Sequence, residues 1–263
     1  MLAAAAAFSL VLPQGLSAAV VEIPFDPDNF SDPLDIDNDF FPLVVDTTTV
    51  FRAEGPDGCE EFRITVTDQE KEIAAGVTAR VVHETAYEGE TCETLEIVEE
   101  TDDWFAQDDA GNVWYLGEDS QNCDGGVCTP SDGSWEAGAD IAGSGKDAVA
   151  GIIMLADPDN GDQYYQEFYE GFAEDQGKIT GVGVKVVLKR EDAISLDPNA
   201  NCIKTKEWSA LEPGSVEQKY YCEDIGLVAV DEHHGKELRF ELVTGVPVSS
   251  SDAFEFRTVP GTR

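Results

Sequence analysis

Asp35, Asp37 and Asp39 have the spacing of the first three ligands of a calcium loop, and Asp46 falls at the twelfth position of such a loop. Calcium takes several hard oxygen ligands, so carboxylates close together in the chain suit it. A regular EF-hand is not expected. Its sixth position turns on a glycine and is Phe40 here, and Asp46 replaces the bidentate glutamate. An irregular calcium site is the remaining metal-binding form. Asp157, Asp159 and Asp162 form a second candidate, because Asn160-Gly161 can turn the chain and bring them together. Asp108 and Asp109 with Asn112 form a third. Each has a plain alternative as a solvated turn. Calcium is expected over magnesium because irregular loops suit its flexible coordination, and over zinc because histidines and free thiols are scarce.

Other catalytic signatures are weak. The three histidines are His83, His233 and His234. Neighbours on a strand point to opposite faces, so His233 and His234 would chelate one metal poorly. No G-x-S-x-G elbow occurs. Gly143-Ser144-Gly145-Lys146 ends like a phosphate loop, but the first glycine that loop requires is Asp140. A carboxylate pair for glycoside hydrolysis is open to a chain with 54 acidic residues, and for that reason it discriminates nothing. Trp104, Trp114, Tyr115 and Trp135, with Tyr164, Tyr165, Phe168 and Tyr169, could line a groove for a sugar or an apolar ligand, or form sheet core. No catalytic residue is assigned.

The 54 acids face 16 lysines and arginines, a formal charge of −38. Between Arg80 and Lys146 there is no lysine or arginine. Such a surface disfavours nucleic acid and anionic lipid and draws cations. It fits adaptation to salt, divalent-cation binding or contact with a cationic or basic partner. The ligand itself is not legible.

Cys59, Cys92, Cys123, Cys128, Cys202 and Cys222 make an even number, which in an exported chain suggests disulfides. Partners in an antiparallel hairpin lie symmetrically about its turn. Cys202 and Cys222 are symmetric about Glu212, beside Pro213-Gly214. Cys59 and Cys92 are symmetric about Ala75-Gly76. Cys123 and Cys128 enclose Asp124-Gly125-Gly126-Val127. The expected bonds are therefore Cys59–Cys92, Cys123–Cys128 and Cys202–Cys222, with a zinc site as the alternative.

The elements around these residues read as strands. TTTVFRAE, EEFRITVTD, VTARVVHETAY and TLEIVEETDDWFAQD are rich in threonine, β-branched and aromatic residues. The expected fold is all-β, mainly antiparallel, a sandwich or strongly curved sheet with an extended acidic N-terminal arm. Residues 1–19 look like a secretory signal, with an apolar run from Ala3 to Leu12 broken by Pro13 and Gly15. Residues 20–46 form the arm, anchored by Phe25, Phe30, Phe40 and Phe41. Residues 47–248 form one β-rich domain, and residues 249–263 a loose tail. No segment is long and apolar enough to be a transmembrane span. Secretion or the periplasm is the expected location.

DNDFFPL at 37–43, DWFAQDDAGNVWYLGED at 103–119, GSWEAG at 133–138 and CIKTKEWSALEPGSVEQKYYCEDIGLV at 202–228 together resemble a group of uncharacterised secreted bacterial proteins. That group is built around an FPL segment, a WY-x-GE strand and a KTKEWSPLEPG-like hairpin. The resemblance implies secretion and carries no activity. Here Ser209-Ala210-Leu211 replaces the SPL of the hairpin, which alters the turn's rigidity. The leading functional expectation is a non-catalytic secreted protein that binds a ligand or serves the cell envelope, with calcium as its candidate cofactor. The alternatives are an extracellular hydrolase using paired carboxylates and a carrier of an apolar ligand between sheets.

The charge yields a first prediction. Screening relieves repulsion among carboxylates, so the melting temperature rises with sodium chloride from low ionic strength. A flat or falling melting temperature would contradict this.

Overall fold

Apolar and polar residues alternate along most of the chain, and the elements that result are strands. The computed structural model describes residues 20–233 and 237–243. The expected signal segment, the end of the β-rich domain, the tail and His234 lie outside these. Apart from one 3-10 turn at Pro27–Asn29, the described residues contain no helix.

The strands are β1 (Thr47–Gly55), β2 (Gly58–Glu72), β3 (Thr78–Gly89), β4 (Glu96–Gln107), β5 (Val113–Asp124), β6 (Val127–Pro130) and β7 (Trp135–Glu136). They continue as β8 (Gly151–Met154), β9 (Gln163–Tyr165), β10 (Asp175–Val184), β11 (Cys202–Ser209), β12 (Glu217–Cys222), β13 (Gly226–His233) and β14 (Glu237–Val243). All fourteen belong to one antiparallel sheet with the order β6-β5-β4-β3-β2-β1-β14-β13-β12-β11-β10-β9. Two meanders thus meet where the first strand pairs with the last, and β7 and β8 fold back onto β5. The fold is all-β, with the sheet strongly curved and not closed into a continuous ladder.

The sheet's ends approach one another through β8. Val149 donates its backbone N–H to the Phe168 carbonyl at 2.8 Å. A Cβ added at Gly151 would lie 1.9 Å from the Gln166 carbonyl, so only glycine lets β8 lie against the chain that follows β9. This close approach sets Gln166 and Glu167 beside the first meander.

The disulfides are Cys59–Cys92, Cys123–Cys128 and Cys202–Cys222. Cys123 and Cys202 face their partners directly across the ladder. Cys59 instead pairs in register with Gly89, because a bulge between Val66 and Glu70 shifts the β2–β3 hairpin. Cys92 therefore reaches Cys59 from the bend beyond the strand. Bonds of this kind belong to an oxidising compartment, so the chain is secreted or periplasmic.

Residues 21–46 contain no strand. They alternate like one: Asp35, Asp37 and Asp39 are exposed, while Ile36, Asn38 and Phe40 are buried. Asn38 fastens this stretch by donating Nδ2 to the carbonyls of Gly111 and Leu155 and accepting from the N–H groups of Phe40 and Phe41. Phe25 packs edge-on against Trp114 at 5.2 Å, and Phe41 against Phe105 at 5.4 Å.

The outer face of β2, β1, β14 and β13 carries buried charge. Arg52 lies opposite both Glu61 and Glu241 in the ladders. Arg52 and Arg63 donate to Glu61, and Arg239 donates to Glu241 and Asp231. Glu241 also accepts from the backbone N–H groups of Lys189 and Arg190 at 2.7 and 2.8 Å. Burial alone would raise the Glu241 pKa. The N–H groups and the Arg239 guanidinium outweigh it and bring the pKa below its ordinary value. Glu61 and Glu241 are each 1% exposed.

Arg52→Ala removes one of the two guanidiniums on the buried Glu61 and leaves Arg63 in place. Losing a hydrogen bond to a buried charged group is expected to cost about 2 kcal/mol in urea unfolding. A loss below about 0.5 kcal/mol, the range of ordinary surface changes, would show that the row is solvated.

Candidate binding cavity

Alternation directs one face of each meander inward. Phe62, Ile64 and Val66 on β2, Val82 and Glu84 on β3, Asp103 and Phe105 on β4, and Tyr115 on β5 share that face. From the second meander come Glu207 on β11, Glu217, Lys219 and Tyr221 on β12, and Val230 on β13. The cavity they enclose measures about 620 Å³. Phe41, Pro42 and Leu43 of the arm cover part of it, and Gln166 and Glu167 enter from the chain after β9.

The lining is divided. Phe62, Ile64, Val82, Phe105 and Leu227 make an apolar wall. Glu84, Asp103, Glu167, Asp175, Glu207 and Glu217 make an acidic one, and Lys219 is the cation on it. Lys219 lies 2.8 Å from Glu207 and 3.1 Å from Glu217, and these carboxylates hold its pKa well above the ordinary value against the opposing effect of burial. The Tyr115 hydroxyl lies 2.5 Å from Asp103 and 2.6 Å from Glu118, bridging two carboxyls. One hydroxyl proton serves one acceptor at a time, so the arrangement suits one carboxyl that is itself protonated.

Proton affinities follow from this setting. Burial pushes Glu84 and Glu118 from 4.5 to about 7. For Glu84, Lys219 opposes the rise and Glu99 and Glu217 reinforce it. Asp103 and Glu167 are raised well above their ordinary values by burial and then by the charge of Glu118. Asp175 is raised by burial as well. The five carboxyls shift in one direction. An acid and base pair for hydrolysis needs environments that push two pKa values apart.

The sequence candidates lie elsewhere. Gln107 donates to Asp37 at 2.6 Å, while Asp35 and Asp39 point to solvent along the alternating arm. Asp162 accepts the Asp159 N–H at 2.9 Å, and Asp157 is exposed. Neither trio brings its oxygens within ligand distance of one another. Among the described residues, three-group convergences involve only disulfide-bonded cysteines, with Glu54 or Glu100.

Asp108 is consumed by its turn. It accepts from the N–H groups of Ala110 and Asn112, from Asn112 Nδ2 and from the Trp114 indole. Asp109 accepts from Ser31. In the glycine-rich loop, the Ser144 and Gly145 N–H groups that could meet a phosphate are taken by Asp140, each at 2.7 Å. His83 is paired with Asp102 at 2.8 Å, and His233 is exposed. Trp104, Trp114, Trp135, Tyr164 and Tyr169 are core rather than groove, and of the eight aromatics Tyr115 lines the cavity. The cavity acids were not singled out by their spacing. The signal that could have found them is an acid on the apolar parity of a strand, as in Val82-x-Glu84, Asp103-x-Phe105 and Glu217-x-Lys219-x-Tyr221.

No family model matches the chain, and no curated protein matches it. Two solved structures resemble it. One is a protein from Bacteroides fragilis described as exported and as having a YmcC-like fold; it is 12% identical, with a TM-score of 0.36. The other, from Parabacteroides distasonis, is described as a lipoprotein and is 12% identical, with a TM-score of 0.33. Each match covers 77% of this chain and 96% of the other. Likeness at this level carries no functional argument. No helix among the described residues is long and apolar enough to cross a membrane.

A raised carboxyl pKa destabilises the fold as pH rises, because the folded state must give up a proton the unfolded chain has already lost. For Glu84 the penalty begins near pH 4.5 and is complete above about 7. Glu84→Gln removes it. The variant should melt higher than the parent at pH 8, by roughly 2–4 °C for each kcal/mol recovered, with the difference vanishing near pH 4.5. A difference independent of pH would show that Glu84 is solvated.

Proposed function

We propose that this chain is a non-catalytic, extracytoplasmic binding protein that holds a ligand with an apolar body inside its curved sheet. The observation that carries this reading is the cavity of about 620 Å³, whose first wall is built from Phe62, Ile64, Val82, Phe105 and Leu227. That volume lies in the usual range for small-molecule sites. Three disulfides and the paired outer face brace the enclosing strands, so the space is largely preformed.

This favours the carrier among the alternatives raised by the sequence. The hydrolase calls for two carboxyls tuned in opposite directions, and the shifts at Glu84, Asp103, Glu167 and Asp175 are all upward.

A neutral solvatochromic dye is the direct probe, since it responds to the apolar wall without charge preference. Its emission should rise and shift to the blue with saturable, one-site behaviour. Ile64→Trp and Leu227→Trp fill the space and should each weaken binding about tenfold or more. Saturable binding unchanged by both fillings would place the dye elsewhere and overturn the reading.

A further inference from the structure

Positive side chains are deployed very differently on the two faces of the sheet. On the outer face, Arg52, Arg63 and Arg239 neutralise Glu61 and Glu241. On the cavity side Lys219 is, among the described residues, the one cation of the lining, and it is committed to Glu207 and Glu217. Glu84, Asp103, Glu167 and Asp175 therefore share the cavity without a cation of their own. A second feature points to a ligand independently of the acids. Gln166 lines the same cavity, is only 4% exposed, and its Nε2 has no hydrogen-bond partner. A buried amide donor is costly to leave unpaired and calls for an acceptor.

We propose that the ligand is an amphipathic cation, an aliphatic amine or ammonium compound whose charged head meets Asp103 and Glu167 while its hydrocarbon body lies along Phe62, Ile64 and Val82. This deepens the binding-protein reading and rests on it. The head's positive charge completes the acidic wall as the arginines complete the outer face. Charge buried against carboxylates in a low-dielectric site is stabilised far more than the same charge at the surface. The raised proton affinities of Asp103 and Glu167 fit this, since a bound cation takes the place of protons the wall otherwise retains.

The diffuse attraction of a chain with net charge −38 is the competing explanation, and the test separates the two. Decylammonium, decanol and decanoate are titrated into the intact protein by calorimetry at pH 7.5, in 0.1 M and 1 M sodium chloride. Decylammonium should bind at least tenfold tighter than decanol, and decanoate weakest. Most of the preference should survive 1 M salt, because buried pairs are screened less than exposed ones. Glu167→Gln alone and Asp103→Asn with Glu167→Gln should remove most of the ammonium preference while leaving decanol within about twofold. Asp35→Asn with Asp37→Asn, on the exposed arm, should leave the preference intact.

Decanol binding as tightly as decylammonium would overturn the cation and leave the apolar cavity standing. A preference that disappears in 1 M salt, or that falls equally with the arm variant, would reduce it to the ion atmosphere. Failure of all three compounds to bind would overturn the cation and the binding cavity together.

Discussion

A carboxyl removed from water must be paired with a cation, kept protonated or offered a ligand, and this sheet uses different answers on its two faces. On the outer face, guanidiniums pair with Glu61 and Glu241, and the backbone N–H groups of Lys189 and Arg190 add to Glu241. On the inner face, equivalent alternation turns Glu84, Asp103, Glu207 and Glu217 into an enclosed space with one lysine. An acid-rich chain could have placed any of its few arginines there. Arg52, Arg63 and Arg239 stand on the outer face instead, and among the described residues the cavity lining is left with Lys219.

Enclosure depends on how the chain ends its sheet. Glycine at 151 permits β8 to lie against the Gln166 carbonyl, so the two meanders face one another across a narrow space. The arm adds a cover, fixed by Asn38 and by the ring of Phe41 against Phe105. Without these contacts the same strands would present a flat acidic surface, where water would keep each carboxyl near its ordinary pKa. Curvature thus turns surface charge into a buried electrostatic field.

Much of the architecture was legible because it is local. β-branched alternation signals strands, and cysteines placed symmetrically about a turn meet across a hairpin, as Cys202 and Cys222 do opposite one another. The bulge between Val66 and Glu70 was not legible, since inserting residues on one strand changes a register without changing composition. The cavity was hidden for a different reason. Glu84 looks like any other acid until the parity of its strand and the curvature of the sheet are both known. The spacing of Asp35, Asp37 and Asp39, which resembles a metal loop, is also the period of an extended segment whose intervening Ile36, Asn38 and Phe40 are buried. Period two serves docking and ligation equally well in a sequence. The segments FPL, WY-x-GE and KTKEWS contribute Phe41, Pro42, Leu43, Tyr115 and Glu207 to the cavity.

Lys219 gives the acidic wall a direction. By binding Glu207 and Glu217 it quiets the β11–β12 side, and the carboxyls that hold their protons by burial are gathered toward Asp103, Glu118 and Glu167. Tyr115 belongs to that second group through its hydroxyl and stacks on Phe105 at 4.9 Å through its ring. One residue therefore joins the charged wall to the apolar one. A ligand that satisfies both must carry its charge at one end, because a cation centred along a hydrocarbon body would leave either the Phe105 wall against polar atoms or the Asp103 wall without a partner.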